Sequence, residues 1–353
     1  MGRAPGAETD DAFSDRPRST GPARLADVAL AAGVSVATVS NVLNWPGKVG
    51  AATTERVRQA MEALDYVPHE GAARLRRGSS RSIGLVLPDV ANAFYAHMAR
   101  GAADAAFDHR YTLILCDSAD DAEREEGYLA MLAEQRAAGA VVAPLGADTA
   151  RLLRLRRRGV RLAVVDRAEP TTQSCSVSVD DVRGGRLAVE HLLALGHRDI
   201  ALVNGALSIR QCADRYEGAR QAVAHRPDVR LRQVNVDTMD AASGRAATAG
   251  LSGAAAPTAV FGTNDQLAIG VTQALLGGGR RVPDDVAVVG YGDLEIAPYG
   301  PVPLTTVAQP VYELGRAAVE LMLDEIDQGD RHVHRAKVFA PELVVRQSAP
   351  APR

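Results

Sequence analysis

The stretch LADVALAAGVSVATVSNVLN, residues 25–44, decides the fold of the first part of the chain. Apolar residues recur at i, i+3, i+4 and i+7 between Leu25 and Ala32, which predicts a helix with one buried face that ends at Gly33. The following residues are rich in β-branched side chains, yet their polar residues do not alternate as they would in a half-buried strand. A second helix, with Ser35 as its N-cap, is the better prediction.

On helical geometry this second segment has two different faces. Its larger apolar residues, among them Val39 and Leu43, point inward against the first helix. The outward stripe consists of Val36, Ala37, Ser40, Asn41 and Asn44. Solvated helix faces normally carry Lys and Glu, whereas this stripe is short and uncharged. It suits a helix that enters the major groove of DNA, and a surface helix without function is the plain alternative.

A third helix is predicted in TTERVRQAMEALDY, with Thr53 or Thr54 as its cap and with Leu64 among its buried residues. From about residue 82, short β-rich runs alternate with amphipathic segments of helical length. This alternation predicts parallel sheets with helices on both faces. The strands are too many for one such sheet, which indicates two similar lobes with a hinge near residues 168–175.

Composition narrows the class of protein. The chain has 353 residues, 46% hydrophobic and 24% charged, and no apolar run long enough to cross a bilayer. Residues 1–22 lack the apolar segment of a signal peptide and suggest a disordered leader, so we expect a cytoplasmic protein without a membrane partner. Residues 24–81 hold eight Lys/Arg against five Asp/Glu, whereas the whole chain has a net charge of −3. This modest basic region is compatible with nucleic acid.

No enzyme is indicated. G-x-S-x-G, a P-loop and H-E-x-x-H are absent from the sequence, and the three cysteines are odd in number and far apart. His332 and His334, in RHVHR, suggest a charged surface connection more than a metal site. We therefore predict no catalytic residue, no cofactor and no metal.

The segment LADVALAAGVSVATVSNVLN, followed by TTERVRQAMEALDYVP, resembles the LacI/GalR family of bacterial transcription regulators. The resemblance runs from about residue 24 to residue 348. It implies an N-terminal all-α helix-turn-helix DNA-binding domain at 23–69 and a hinge helix or linker at 70–81. The remaining core, at 82–348, would consist of two doubly wound α/β lobes like those of periplasmic binding proteins, which bind an effector and form the dimer.

The resemblance assigns roles to the second helix. Val36, Ala37 and Asn41 would face base edges, and Asn41 is the residue of the three that can hydrogen-bond a base. The other positions would mainly hold phosphates, which set register without reading sequence. These phosphate-binding candidates are Ser35, Thr38, Ser40 and Asn44.

The linker would add a contact in the minor groove. Leu75 occupies the place of the family's leucine, which wedges between base pairs and kinks the duplex. Arg74 and Arg76 would supply positive charge to phosphates or to the groove. Without DNA, a solvated basic linker is the alternative for this segment, which is too short to hold a helix alone.

The resemblance also implies an effector cleft between the lobes, where strands end. The candidates are Asn92, Phe94, Tyr95, Asp166, Arg167, Arg215, Asp265 and Asp293. Arg215 and Asp265 are the strongest, as a clamp and as an acceptor of sugar hydroxyl hydrogens. Gly292 stands where the family usually has an aspartate, so Asp293 is the substitute.

Structural roles compete with several of these assignments. Phe94 and Tyr95 could pack in the core, Asp166 and Arg167 could form a surface ion pair, and Asn264 could cap the helix that follows it.

Taken together, these features predict an effector-controlled repressor that binds a pseudopalindromic operator in double-stranded DNA. The C-terminal end has no leucine heptads, which favours a homodimer over a tetramer held by a coiled coil. The effector would be a small molecule, a sugar or a related metabolite. An activator of the same fold is the alternative, and a solute-binding protein is a weaker one because of the domain at residues 23–69.

Overall fold

The computed structural model describes residues 22–67, 80–146, 150–168, 173–251 and 256–351. The chain divides into two compact units, one ending at Gly78 and the other beginning at Ser79. The expected leader, up to residue 21, lies outside the described residues. So do the linker candidates Arg74, Leu75 and Arg76.

The first unit contains three helices, α1 (Leu25–Ala32), α2 (Val36–Asn44) and α3 (Ala51–Ala63). α1 ends at Gly33, whose φ of 64° is the left-handed conformation that glycine adopts without strain. The axes of α1 and α2 differ in direction by 102°, as in a helix-turn-helix. Val28, Val39 and Val57, one from each helix, are 0% exposed and form the centre of a small core.

The third helix begins earlier than the sequence predicted. Its N-cap is Gly50, so a cap at Thr53 or Thr54 is wrong. Leu64 lies just beyond the helix end and is 37% exposed, so its predicted burial is also wrong. Within the described residues no single helix is long and apolar enough to cross a membrane, although the bent pair α1 and α2 meets that test jointly.

The second unit contains two six-stranded sheets flanked by helices. The strands are β1 (Ser82–Leu87), β2 (Thr112–Asp117), β3 (Gly139–Val142), β4 (Arg161–Val165), β5 (Cys175–Val179), β6 (Asp199–Asn204), β7 (Arg230–Asn235), β8 (Ala259–Gly262), β9 (Ala287–Gly292), β10 (Thr305–Ala308), β11 (Ala336–Phe339) and β12 (Glu342–Val344). The helices are α4 (Ala93–Asp108), α5 (Ala122–Glu134), α6 (Ala150–Arg157), α7 (Asp181–Ala194), α8 (Arg210–Val223), α9 (Ala241–Ala249), α10 (Asp265–Gly277) and α11 (Val311–Gln328).

The strand orders are β11-β5-β4-β3-β1-β2 and β12-β10-β9-β8-β6-β7. Every pairing is parallel except that of β10 with β12. Each sheet is covered by apolar clusters on its two faces. This is the predicted pair of doubly wound lobes, and it explains why most strands are continuous apolar runs.

The connection between the lobes differs from the prediction. β5 belongs to the first sheet, so the chain crosses to the second lobe at Asp180 and not within residues 168–175. It returns between β10 and α11, because α11 packs on α4 and the first sheet, and it crosses again between β11 and β12. The Asp180 N–H donates to the Phe339 carbonyl at 3.0 Å, which joins two of these crossings.

Paired glycines bring neighbouring helices into close contact. A Cβ atom on Gly218 of α8 would lie 1.9 Å from the Val182 carbonyl oxygen of α7, and one on Gly185 of α7 would lie 2.0 Å from the Arg215 carbonyl oxygen of α8. The α4–α11 and α9–α10 contacts use the pairs Gly101/Gly315 and Gly244/Gly270 in the same way. The α7–α8 pair is important for the site because it holds Arg215 beside the start of α7.

Candidate functional site

The candidate DNA-binding face lies on α2. The Ser35 hydroxyl accepts the Thr38 N–H at 3.1 Å and so caps the helix, as predicted. Val36, Ala37 and Asn41 are exposed. Because Val39 on the opposite side is fully buried, the helix presents these three residues on its outer face.

The phosphate-binding candidates flank this outer face. Thr38, Ser40 and Asn44 are half-buried, and Ser35 is exposed. The Asn44 side-chain amide donates to the Ser40 carbonyl, and the Ser35 and Thr38 hydroxyl oxygens are 2.9 Å apart. The face therefore combines exposed small side chains with hydroxyl and amide groups at its edges.

A cavity of about 120 Å³ lies where strands of both lobes end. Five of the effector candidates line it: Asn92, Phe94, Tyr95, Asp166 and Arg215. Its wall also includes residues that the sequence analysis did not select: Ile209, Gln211, Cys212, Met239, Asn264, Gln266, Tyr291, Gly292, Leu294 and Gln309. The cavity is therefore built from both lobes and from a crossing, at Gln309.

The first lobe contributes the start of α4. Asn92 is the N-cap of this helix, and its side-chain oxygen accepts the Phe94 N–H at 3.0 Å. The rings of Phe94 and Tyr95 contact edge to face, with centroids 5.2 Å apart. Both rings also pack against the apolar core of the first lobe, so the core and cavity roles are combined.

Asp166 follows β4 and is 8% exposed. Its carboxylate accepts the Tyr95 hydroxyl at 3.2 Å and the Gln211 amide at 2.7 Å. Burial, together with the charge of nearby Asp181, raises the pKa of Asp166 to about 7 against the opposing effect of Arg215. This side chain can therefore gain or lose a proton near neutral pH.

The Arg215 side chain is held in place by other residues of the second lobe. Its Nε lies 2.8 Å from Asp181 Oδ1, and its Nη1 donates to the Thr263 carbonyl at 2.7 Å. The guanidinium carbon lies 3.9 Å from the centre of the Tyr291 ring, and the Tyr291 hydroxyl donates to Asp181 at 2.7 Å. Arg215 reaches the cavity wall as half of a buried, neutralised ion pair.

The structure does not place Asp265 on the cavity wall. This side chain is 0% exposed, and its carboxylate accepts the Leu294 N–H at 2.7 Å and the Thr306 hydroxyl at 2.5 Å. The neighbouring residue Asn264 lines the cavity instead, and its Oδ1 caps α10 by accepting the Leu267 N–H at 2.8 Å. The expectation that Asp265 is the stronger cleft residue therefore disagrees with the geometry.

Asp293 and Arg167 also lie away from the cavity wall. Asp293 forms an ion pair with Arg346 at 2.6 Å. Arg167 lies in an adjoining groove that shares Asp166 with the cavity, and its Nη1 donates to the Gly146 carbonyl. Asp293, the predicted substitute for the family's aspartate, is thus paired with Arg346 and does not line this cavity.

Several cavity residues that the sequence did not point to lie just after strands, a position that could have indicated them. Asn264 and Gln266 come directly after β8, and Gln211 starts the helix after β6. Carboxyl ends of parallel strands are the usual location of ligand sites in such folds. Gln309 carries the same signal, because it comes directly after β10, which pairs in parallel with β9.

His332 and His334 differ from their expected location. Their side chains are 1% and 13% exposed, so RHVHR is not a surface connection at these two positions. They lie next to the buried Cys175.

A helix-turn-helix with a short uncharged outer face, joined in one chain to two α/β lobes that enclose a cavity lined by apolar, aromatic and amide side chains, defines a ligand-binding, DNA-binding regulator. Residues 24–69 match the family model described as "Bacterial regulatory proteins, lacI family". Residues 189–349 match the periplasmic binding protein-like domain.

Two curated relatives cover nearly the whole chain. The HTH-type transcriptional repressor PurR of Vibrio campbellii is 34% identical over 92% of this chain and 98% of the relative. The HTH-type transcriptional regulator DegA of Bacillus subtilis is 33% identical over 91% and 96%. Both relatives are named as transcription regulators.

Solved structures of similar proteins support the same classification. The Lac repressor dimer bound to operator and the anti-inducer ONPF has a TM-score of 0.81 and 29% identity, covering 94% of this chain and all of that chain. A LacI family regulator of Enterococcus faecium with bound ribose has a TM-score of 0.69 and 31% identity, covering 77% of this chain and all of that one. The chain thus belongs to the LacI family of bacterial transcription regulators.

Proposed function

We propose that the protein is a repressor that binds a pseudopalindromic operator as a homodimer, and that a neutral, hydroxyl-rich effector in the cavity controls its affinity for DNA. The exposed face of α2, formed by Val36, Ala37 and Asn41, is the observation that carries the DNA-binding part. The relative PurR is named a repressor, and the Lac repressor structure is a dimer on its operator.

Each residue of this face has a distinct chemical capacity. Val36 and Ala37 offer apolar contact alone, for which the thymine methyl group is the natural target. The Asn41 amide can bond the two groups that adenine presents in the major groove. Ser35, Thr38, Ser40 and Asn44 hold phosphates in this proposal, and Leu75 with Arg74 and Arg76 acts in the minor groove.

The chemistry of the cavity supports a neutral effector with hydroxyl groups. Amide side chains of Gln211, Gln266 and Gln309 line it, and an amide both donates and accepts hydrogen bonds. The buried Gln309 Oε1 has no hydrogen-bond partner, so it is available to a ligand hydroxyl. The charge of Arg215 is neutralised by Asp181, and Asp166, the remaining carboxyl group on the wall, is neutral below its pKa of about 7. Ribose and cellobiose are the ligands in two similar structures.

The DNA-binding part is tested by selecting bound duplexes from a random pool with the purified protein. We expect two half-sites related by two-fold symmetry, because a two-fold symmetric dimer presents two α2 helices. Asn41→Ala changes the preferred half-site, whereas Ser40→Ala weakens all selected duplexes alike. Single or directly repeated half-sites would overturn the symmetric dimer, and identical behaviour of the two variants would overturn the assigned roles.

The effector part is tested by thermal shift with a panel of neutral sugars that includes D-ribose and cellobiose, because a ligand of the folded state raises the Tm. We expect at least one sugar to raise the Tm, and Gln211→Ala to abolish this shift. Gln221→Ala, an exposed amide on the same helix, is the matched control. Operator duplex must change the affinity for that sugar by the factor with which the sugar changes operator affinity. Absence of any shift across the panel contradicts the effector class.

A further inference from the structure

Three metal-ligating side chains converge in the first lobe, away from the cavity. Cys175 starts β5, and His332 and His334 precede β11. The two strands pair in parallel, with Ser176 opposite Ala336, so their starts lie side by side. As a result the Cys175 sulfur and one nitrogen of each histidine all lie within 4.8 Å of one another.

The distances between these atoms fit tetrahedral coordination of a metal ion. The Cys175 Sγ lies 3.1 Å from His332 Nε2 and 3.9 Å from His334 Nδ1. Two ligands at tetrahedral angles around zinc, with Zn–S and Zn–N bonds of about 2.3 Å and 2.0 Å, are about 3.5 Å apart. The observed distances lie on either side of this value, so small side-chain shifts bring the ligands into position.

A buried carboxylate lies beside the cluster. Glu325, near the end of α11, is 1% exposed, and its Oε1 pairs with Arg156 at 2.8 Å and Arg161 at 3.5 Å. Its Oε2 has no hydrogen-bond partner and lies 3.9 Å from His334 Nδ1. An unpartnered buried carboxylate oxygen is costly unless something is bound to it, which is an independent indication of a ligand here.

A second carboxylate lies beside one of the imidazole rings. Asp324 Oδ2 lies 3.2 Å from His332 Nδ1, on the side of the ring away from Cys175, although Nδ1 has no aligned hydrogen-bond partner. A small rotation of either side chain would align an Nδ1–H bond to Asp324 and leave the lone pair of His332 Nε2 facing the cluster. This carboxylate–histidine–metal arrangement is common around protein-bound zinc.

We propose that Cys175, His332, His334 and Glu325 bind a Zn²⁺ ion or a divalent ion of similar softness. Thiolate, imidazole and carboxylate together are ligands that zinc accepts and that Mg²⁺ and Ca²⁺ do not favour. Coordination through His334 Nδ1 leaves the proton on Nε2, which now lies 2.8 Å from Arg156 Nη2. Two donors cannot face each other, so Arg156 shifts from His334 to its existing partner, Glu325.

The ion would join the starts of β5 and β11 to the end of α11. Both strands begin at the metal site and end towards the cavity. The metal site and the cavity therefore lie at opposite ends of the strands of this sheet. Each of these strands also leads directly into a crossing between the lobes. A bound ion therefore stiffens the lobe at the base of two connecting segments.

The test uses the full-length protein, freed of any polyhistidine tag and stripped by a chelator, and titrated with Co²⁺. We expect one Co²⁺ per chain, with d–d bands typical of tetrahedral cobalt and a near-ultraviolet thiolate-to-cobalt charge-transfer band. Zn²⁺ should displace the cobalt. Cys175→Ser should abolish the charge-transfer band, whereas Cys116→Ser and Cys212→Ser, which alter the other buried cysteines, should retain it.

Variants of the remaining ligands keep the test decisive if Cys175→Ser fails to fold. His332→Gln and His334→Gln should each weaken binding by more than 10-fold, and Asp324→Asn by about 10- to 100-fold. His109→Gln, an exposed histidine, is the control. Zn²⁺ should also raise the Tm of the wild type but not that of the folded ligand variants. Octahedral cobalt spectra, or a charge-transfer band that survives in Cys175→Ser, would overturn the proposal.

Discussion

Arg215 offers a sharp test, because an effector clamp and a structural ion pair respond differently to its removal. Arg215→Met preserves much of the side-chain volume but deletes the guanidinium. The change removes the 2.8 Å contact with Asp181, the 2.7 Å bond to the Thr263 carbonyl and the stacking on Tyr291. Asp181 is then left 7% exposed, with the Tyr291 hydroxyl as a remaining partner.

Breaking a buried ion pair from one side costs about 3–5 kcal/mol, because the remaining charge is buried without compensation. We expect Arg215→Met to lower the free energy of unfolding of the core by this amount in the absence of any effector. Arg215→Met combined with Asp181→Asn should recover more than half of the loss, since the buried charge is then gone and the Asn oxygen still accepts from Tyr291.

Urea unfolding followed by far-ultraviolet circular dichroism measures this effect. The single tryptophan, Trp45, lies in the first unit, so tryptophan fluorescence would report on the wrong part of the chain. Arg220→Met, on the exposed side of the same helix, is the control and should leave the midpoint unchanged. A loss below about 1 kcal/mol for Arg215→Met, or no recovery in the double variant, would refute the structural role.

Two further predictions concern stability. Burial gives Asp166 a pKa of about 7 in the folded state against an ordinary value of 3.8, so between these pH values the folded state keeps a proton that the unfolded state has lost. The free energy of unfolding therefore falls as pH rises from about 4 to 7, by up to about 4 kcal/mol. Asp166→Asn should flatten this dependence on pH. Urea titrations in which the variant keeps the wild-type pH dependence would contradict the prediction. Gly218→Ala should destabilise by about 1–3 kcal/mol through its clash with Val182, whereas Gly127→Ala, a helix position with open space around it, should stabilise by up to about 1 kcal/mol; equal melting shifts would contradict the close helix contact.

Several features of this chain were readable from sequence, although the cap of α3 was not. The cap at Ser35 and the stop at Gly33 are set by nearest neighbours, and the alternation of apolar strands and amphipathic helices gave the two lobes. β5 was missed because its sequence, CSVSV, contains two serines, Ser176 and Ser178, that are nonetheless buried in the middle of the sheet. Composition alone suggests more exposure than this strand has.

The missed features of the sites are those that depend on distant partners. Asp265 seemed free to bind a sugar, yet the backbone of Leu294 and the hydroxyl of Thr306 satisfy its carboxylate. The histidines of RHVHR seemed exposed by charge pattern, yet the pairing of β5 with β11 buries His332 beside Cys175. Such contacts are fixed by tertiary structure, which spacing along the chain does not encode.

The contact between Gln211 and Asp166 shows how an effector could act on this core. Gln211 belongs to the second lobe, and its side-chain nitrogen lies 2.7 Å from both the carbonyl and the carboxylate of Asp166 in the first lobe. The lobes are thus joined across the cavity by a bond that a ligand hydroxyl can replace. A ligand that bonds both groups equally well at every lobe angle does not change the equilibrium between lobe angles. Only a difference in affinity between conformations can shift that equilibrium. We therefore expect an effector that bridges Gln211 and Asp166 at a spacing different from the one they adopt here to change the angle between the lobes.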